Sequence, residues 1–225
     1  MPKKIQKSKI AIRSMKGVGK VTTKERIVEE ALTLFSTKGF KGTSVKNIAD
    51  AVGIKDASLY KHYKSKQEIL DTIVETMGKH IEGMSEQFGL PTDTDLASAA
   101  AVYAKFDENM LVEFSNQIFL FYLKDSFISR FWRMGNIEQY QNSEVYEMFK
   151  KLFLDDSISY QTALFAEMSK EGIFIEADPQ VMAMYFYSPI FFLLSKYAND
   201  TEHEKEALEQ LDKQVKEFYR IYKKK

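Results

Sequence analysis

Cysteine is absent from the 225 residues. That excludes a disulfide framework, a thiolate nucleophile and cysteine-bound zinc, and it fits a cytoplasmic chain without requiring one. Histidine is nearly as scarce: His62, His80 and His203 are dispersed, and none has a second ligand at metal spacing. No phosphate-binding glycine loop is present, since Gly17-Val18-Gly19-Lys20 lacks a preceding strand. The adjacent Asp155 and Asp156 splay apart on a helix or sit in a turn, a poor start for acid–base chemistry. No catalytic site, metal or cofactor is expected, and the chain does not read as an enzyme.

Long charge-free apolar runs are missing too. None is sufficient to span a bilayer, and Ile5, Ile10, Ile12 and Met15 are too sparse for the apolar core of a signal peptide. The expectation is a soluble protein without a membrane partner. Strand-type alternation, internal repeats and low-complexity tracts are also lacking, so helical periodicity and helix caps organise the chain. The fold class is all-α.

What the chain lacks in net charge it has in charge separation. Lys+Arg and Asp+Glu are equal at 32 each, yet residues 1 to 66 hold 16 basic against 5 acidic side chains, a net of +11 that leaves −11 for the remainder. A basic N-terminal lobe favours a polyanion through counterion release, and an acidic remainder keeps the rest of the chain off it. Residues 1–21 carry Lys3, Lys4, Lys7, Lys9, Arg13, Lys16 and Lys20 without an acid. They read either as a basic arm that follows a DNA groove or as a solubilising tail.

Residues 22–66 carry the main motif. Thr22 with Glu25 forms a capping-box pattern, Ile27, Ala31, Leu34 and Phe35 give a buried stripe, and Gly39 before Phe40 reads as the stop. Val45, Ile48, Ala49 and Val52 recur at helical spacing. Gly53 then turns the chain and Ile54 seals the corner. The next helix, Lys55 to Tyr63, has few apolar anchors, mainly Leu59 and Tyr63, so most of its side chains must face out. Ala57 and Ser58 are small enough to let a backbone approach base edges, while Tyr60, Lys61 and His62 can donate to phosphates. Ser65 with Glu68 opens a further helix and places Lys66 in its first turn. The pattern is a DNA-reading helix-turn-helix; the alternative is a three-helix corner with a solvated basic face.

Taken together, I-V-E-E-A-L-T-L-F-S-T-K-G-F-K-G-T-S-V, N-I-A-D-A-V-G-I, L-Y-K-H-Y and S-K-Q-E-I-L resemble the DNA-binding domain of the TetR/AcrR family of bacterial repressors over Thr22 to Met77. The resemblance implies that Thr43 binds a phosphate beside Ser44, that Ala57 and Ser58 lie against bases, and that Tyr60, His62 and Lys66 grip backbone. Lys46 and Lys61 fall at positions that commonly touch DNA. Two positions depart from the pattern: Lys55 stands where a capping Ser is frequent, and Asp56 where a neutral or basic residue is. Asp56 can take over the cap or accept from cytosine N4, the cap being the safer reading.

Residues 67–225 form a helical second domain, entered by a bridging helix from about Lys66 that carries Ile69, Leu70, Ile73, Met77 and Ile81 and breaks near Gly89-Leu90-Pro91. Caps are expected at Asp93, Asn142, Asp178 before Pro179, and Thr201 with Glu204, and a kink or local opening at Pro189. Aromatic side chains exceed one stripe per helix, so some helices must be covered on two sides. In the family the last two long helices pair with their copies in a homodimer; here those would be Glu144 to Gly172 and Asp178 to Ala198, with Phe165, Met168, Met184 and Phe191 at the interface. Tyr103, Phe106, Met110, Phe114 and Phe121 share one face of the helix that by resemblance lines an effector cavity, with Phe131, Trp132, Met148 and Phe149 nearby. Core packing is the competing reading of that stripe. The expectation is a DNA-binding regulator, a dimeric repressor released from double-stranded operator DNA by a small hydrophobic or aromatic effector. The alternative is a helical DNA-binding protein whose second domain docks a protein partner.

Overall fold

The structure is a computed structural model that describes residues 21–88, 96–198 and 202–225, with the side chains of residues 85–88 outside the description. The basic arm, the break near Gly89 and the caps expected at Asp93 and Thr201 lie outside the described residues. Among those residues, regular structure consists of eleven α-helices and one π-helical segment.

The first four helices follow from their punctuation. Helix α1 (Thr23–Lys38) begins at the Thr22/Glu25 capping box and ends at Gly39, whose φ of 75° suits a residue without a Cβ. Helix α2 (Val45–Val52) starts from a Ser44/Asn47 box and stops at Gly53, which takes the left-handed conformation. Helix α3 is a short turn of helix, Asp56–Leu59, anchored by fully buried Leu59 and Tyr63. Helix α4 (Lys66–Phe88) is opened by the Ser65 hydroxyl, which accepts from the Glu68 N–H, while the Glu68 carboxylate reaches back to the Lys64 N–H.

Helices α5 (Leu96–Tyr103), α6 (Glu108–Lys124), α7 (Ser126–Glu138), α8 (Ser143–Lys150), α9 (Asp156–Lys170), α10 (Pro179–Tyr197) and α11 (Glu204–Tyr222) complete the second domain. Asn142 and Asp178 cap α8 and α10 as expected, and α10 runs through Pro189 as one element. Helices α8 and α9 are joined by the π-helical segment Lys151–Asp155. Its widened turn loosens the backbone ladder, and the Tyr187 hydroxyl donates to the Phe153 carbonyl at 2.6 Å. Burial pushes the Tyr187 phenol up to about 12. Phe149, just upstream of this segment, and Phe153 within it pack on Trp132 of α7; downstream, α9 packs against α5 and α10. Gly135 permits the close approach of α7 and α8, since a Cβ there would stand 2.3 Å from the Phe149 ring.

Helix α7 lies along α1 and docks the N-terminal helices onto the second domain. Arg130 pairs with Glu29 at 2.6 Å and donates to the Thr33 hydroxyl. Glu138, 0% exposed at the far end of α7, accepts from the Phe40 N–H at 2.6 Å through Oε1, while its Oε2 has no hydrogen-bond partner. Helices α4 and α7 are tied by His80, which stacks on Phe127 and bonds Asp125 at 3.3 Å. Burial alone would raise the Asp125 carboxyl, but the His80 bond and the Ile128 and Phe127 N–H groups outweigh it and hold the group below its ordinary value.

A carboxylate so enclosed tests two effects separately. Glu138→Ala should strand the Phe40 N–H and cost about 1–3 kcal/mol, whereas Glu138→Gln keeps an acceptor without the buried charge and should be neutral or stabilising. Thermal unfolding of both variants checks this; equal loss in both would show that the charge itself is required.

Candidate nucleic-acid interface and second-domain cavity

The turn at Gly53 swings α3 outward from α2, and its exposed side is built from small and basic residues. Lys46, Lys55, Ala57, Lys61 and His62 are exposed, Ser58 is half-buried, and the Tyr60 ring is 54% exposed beside them. Ser44 is exposed too, although its hydroxyl also serves the capping box of α2. Lys46, Lys55, Lys61, His62 and Tyr60 thus expose donors of the kind that meet a polyanion.

Three residues sit differently from the sequence expectation. Thr43 is 1% exposed and its hydroxyl donates to the Gly39 carbonyl at 2.9 Å, so it closes the α1–α2 turn instead of facing a phosphate. The Lys66 ammonium points inward, donating to the Phe40 and Thr43 carbonyls at 2.5 and 2.7 Å and lying 4.2 Å over the Phe40 ring. Those carbonyls are left without helical partners by the turn, and a long cationic chain in the first turn of α4 can reach them. Burial lowers the Lys66 pKa, with the Glu138 charge pulling it partly back. At α3 the cap position belongs to Lys55, which supplies no side-chain bond; Asp56 is the first helical residue, its carboxylate exposed, and it does not cap.

The second domain has a partly open cavity of about 730 Å³ between α4, α5, α6, α9, α10 and α11. Of the expected ligand-facing residues, Tyr103, Phe106 and Phe114 line it, their rings meeting at 5.3 to 5.6 Å. Met110 is 40% exposed at the first turn of α6, and Phe121 packs against the core to one side. The face of α6 that lines the cavity is centred on Leu111, Ser115, Ile118 and Tyr122, rotated from the Phe114 stripe by somewhat less than one residue's ~100° step. Phe131, Trp132 and Phe149 are buried in an aromatic cluster around Phe153, behind the wall, and half-buried Met148 lies on α8, also outside the lining. Phe165 and Met168, expected at a subunit interface, instead line the cavity and are 5% and 3% exposed. The π-helical segment before α9 changes the helical phase between α8 and α9. Met184 is exposed on α10, and Phe191 is half-buried against Trp132.

The comparisons with known proteins agree with this architecture. A family model described as bacterial regulatory proteins, tetR family, matches residues 27–73. The chain is 25% identical over 202 residues to the biofilm operon icaADBC HTH-type negative transcriptional regulator IcaR of Staphylococcus aureus, spanning 90% of this chain and 100% of the relative. The IcaR of Staphylococcus epidermidis is 50% identical over 52 residues, 23% of this chain and 28% of that protein. Among solved structures, the fatty acid degradation regulator FadR from Bacillus halodurans superposes with a TM-score of 0.62 at 16% identity, covering 88% of this chain and 96% of that one. The last likeness shows the fold.

The inward Lys66 and outward Lys61 should separate in solution. Lys61→Ala should flatten the slope of log affinity against log salt by about one unit, as loss of a phosphate contact does. Lys66→Ala should leave that slope unchanged and lower thermal stability, because the Thr43 carbonyl loses its side-chain donor and the Phe40 carbonyl keeps only the Thr43 N–H at 3.3 Å. A flattened slope for Lys66→Ala would return this residue to the DNA surface.

Proposed function

We propose that the chain is a transcriptional regulator of the TetR family, a dimeric repressor that occludes an inverted-repeat operator in the cytoplasm and leaves it when a small hydrophobic effector fills the second-domain cavity. The observation that carries this reading is the course of α4. Its first turn holds the α1–α2 corner through Lys66, and Gly78, Ile81 and Met84 further along the same helix line the cavity. A ligand that prefers one position of α4 then biases the placement of α3. Bases would be met by Ala57 and Ser58, and phosphates by Ser44, Lys46, Lys55, Tyr60, Lys61 and His62. Asp56, free of a capping role, becomes a candidate acceptor for cytosine N4.

The last two long helices are α10 and α11, so the subunit contact moves one helix along from the sequence expectation. Val181, Met184, Tyr185 and Phe192 fall at i, i+3, i+4 and i+11 on α10, and they are 57%, 51%, 36% and 60% exposed. Such a stripe on a long helix calls for a cover. A two-fold dimer through it would set the two α3 helices for half-sites about 34 Å apart or a multiple of that.

Phe192→Asp should give a monomer by sedimentation at micromolar concentration and reduce inverted-repeat affinity at least tenfold. A dimer that survives this change, with operator affinity intact, would rule out the α10 contact. For the effector, native mass spectrometry of protein purified from its own host should reveal a co-purifying small molecule, absent when Ile118→Trp fills part of the cavity. Retention of the same molecule by that variant would place the ligand elsewhere.

A further inference from the structure

Two polar atoms in the cavity wall have no partner in the protein. Ser115, 4% exposed on α6, and Gln161 on α9 both line the cavity, and the buried Ser115 Oγ and Gln161 Oε1 lack any hydrogen bond. A hydroxyl inside a helix ordinarily bonds the carbonyl four residues back. Thr72, Thr162 and Ser195 do so here, at 2.7 to 2.9 Å. Ser115 does not, leaving its hydroxyl available to whatever occupies the cavity.

The charges around the cavity complete the picture. Its charged lining residues are Glu82, Lys151, Asp156 and Lys223. The first three are exposed, and Lys151 is held by Asp156 at 2.6 Å. Half-exposed Lys223 follows α11, one turn beyond Tyr219, whose phenol is raised by burial and then by Asp107 and Glu108 nearby. Deeper in, burial pushes the Tyr103 and Tyr122 phenols well above their ordinary range. A carboxylate carried into the same walls would meet the same desolvation without a buried cation to offset it.

We propose that the cavity selects a neutral amphiphile, an apolar or aromatic body bearing a hydroxyl or amide that engages Ser115 and Gln161, and discriminates against a carboxylate of the same shape. This inference rests on the effector reading above. The polar group fixes the orientation of a ligand whose affinity comes chiefly from apolar contact, since a partner for a stranded buried atom is worth more than the same bond in water.

The test uses the 225-residue protein at neutral pH and three matched probes: para-hexylphenol, hexylbenzene and para-hexylbenzoate, each followed by calorimetric titration. The phenol should bind about tenfold or more tightly than either of the others. Ser115→Ala or Gln161→Leu should weaken phenol binding by roughly five- to tenfold while leaving hexylbenzene affinity unchanged or higher, a split that general damage to the fold would not produce. Should a variant fail to fold, the three-probe ranking on the wild-type protein decides alone. Benzoate binding as tight as phenol, and lost in Lys223→Met, would make the cavity an anion site and overturn the inference. So would hexylbenzene equal to phenol; in both cases the effector cavity itself stands. Failure of all three probes to bind would remove the cavity reading together with this one.

Discussion

The peptide units of Phe40 are gripped from both sides: Glu138 on α7 takes its N–H and Lys66 on α4 supplies a donor to its carbonyl. The corner between α1 and α2 is thereby fastened to two helices of the larger domain. Glycine at position 39 is part of the same constraint, because a Cβ there would stand 2.7 Å from Glu138 Oε1 and the backbone φ is +75°. Burying a carboxylate with one oxygen unmatched opposes folding, and the return is positional. A shift of the α1–α2 corner relative to α7 or α4 must break these bonds.

Much of the N-terminal domain was legible because its signals are local. Capping pairs, the Gly39 and Gly53 stops and the Ile27 to Phe35 stripe each depend on neighbours within a few residues, and they appear where the spacing puts them. Thr43 and Lys66 were misplaced for the complementary reason. A sequence shows that a hydroxyl and a cation stand beside a turn, but not that the turn leaves carbonyls whose nearest donors are those two side chains. Glu138 gave no signal at all, since its partner lies 98 residues away.

In the second domain, periodicity identified helices but could not say what each apolar face meets. A stripe looks the same against a neighbouring helix, a cavity or another subunit, and Phe165 and Met168 were assigned to the wrong one. The π-helical segment at Lys151–Asp155 compounds this by rotating the face of α9 relative to α8, an insertion with no compositional mark. Helix α11 did carry a readable signal. Ala207, Leu211, Val215 and Phe218 recur at i+4 and i+3 steps and are all buried, so the charged C-terminal stretch is an amphipathic helix and α10 is not the last long one.

These placements set the scale on which the two domains can be coupled. Reversing a two-state equilibrium from 1:99 to 99:1 requires a differential affinity of ~10⁴, about 5.5 kcal/mol. The polar ties between the N-terminal helices, α4 and α7 are few: Arg130 to Glu29 and Thr33, Glu138 to Phe40, Lys66 to Phe40 and Thr43, and His80 to Asp125. At ~0.5–3 kcal/mol each, their sum is comparable to what one well-matched ligand can supply. Apolar packing of α1 on α7 adds to the docked state, so a ligand that displaces the cavity end of α4 need not break that packing. His80 stacks on Phe127 and bonds Asp125, so a displacement of α4 relative to α7 must break both contacts, and the Phe40 corner is held by the same two helices. On the proposed function, the contacts that hold α3 in place are the ones through which a ligand in the cavity would reposition it.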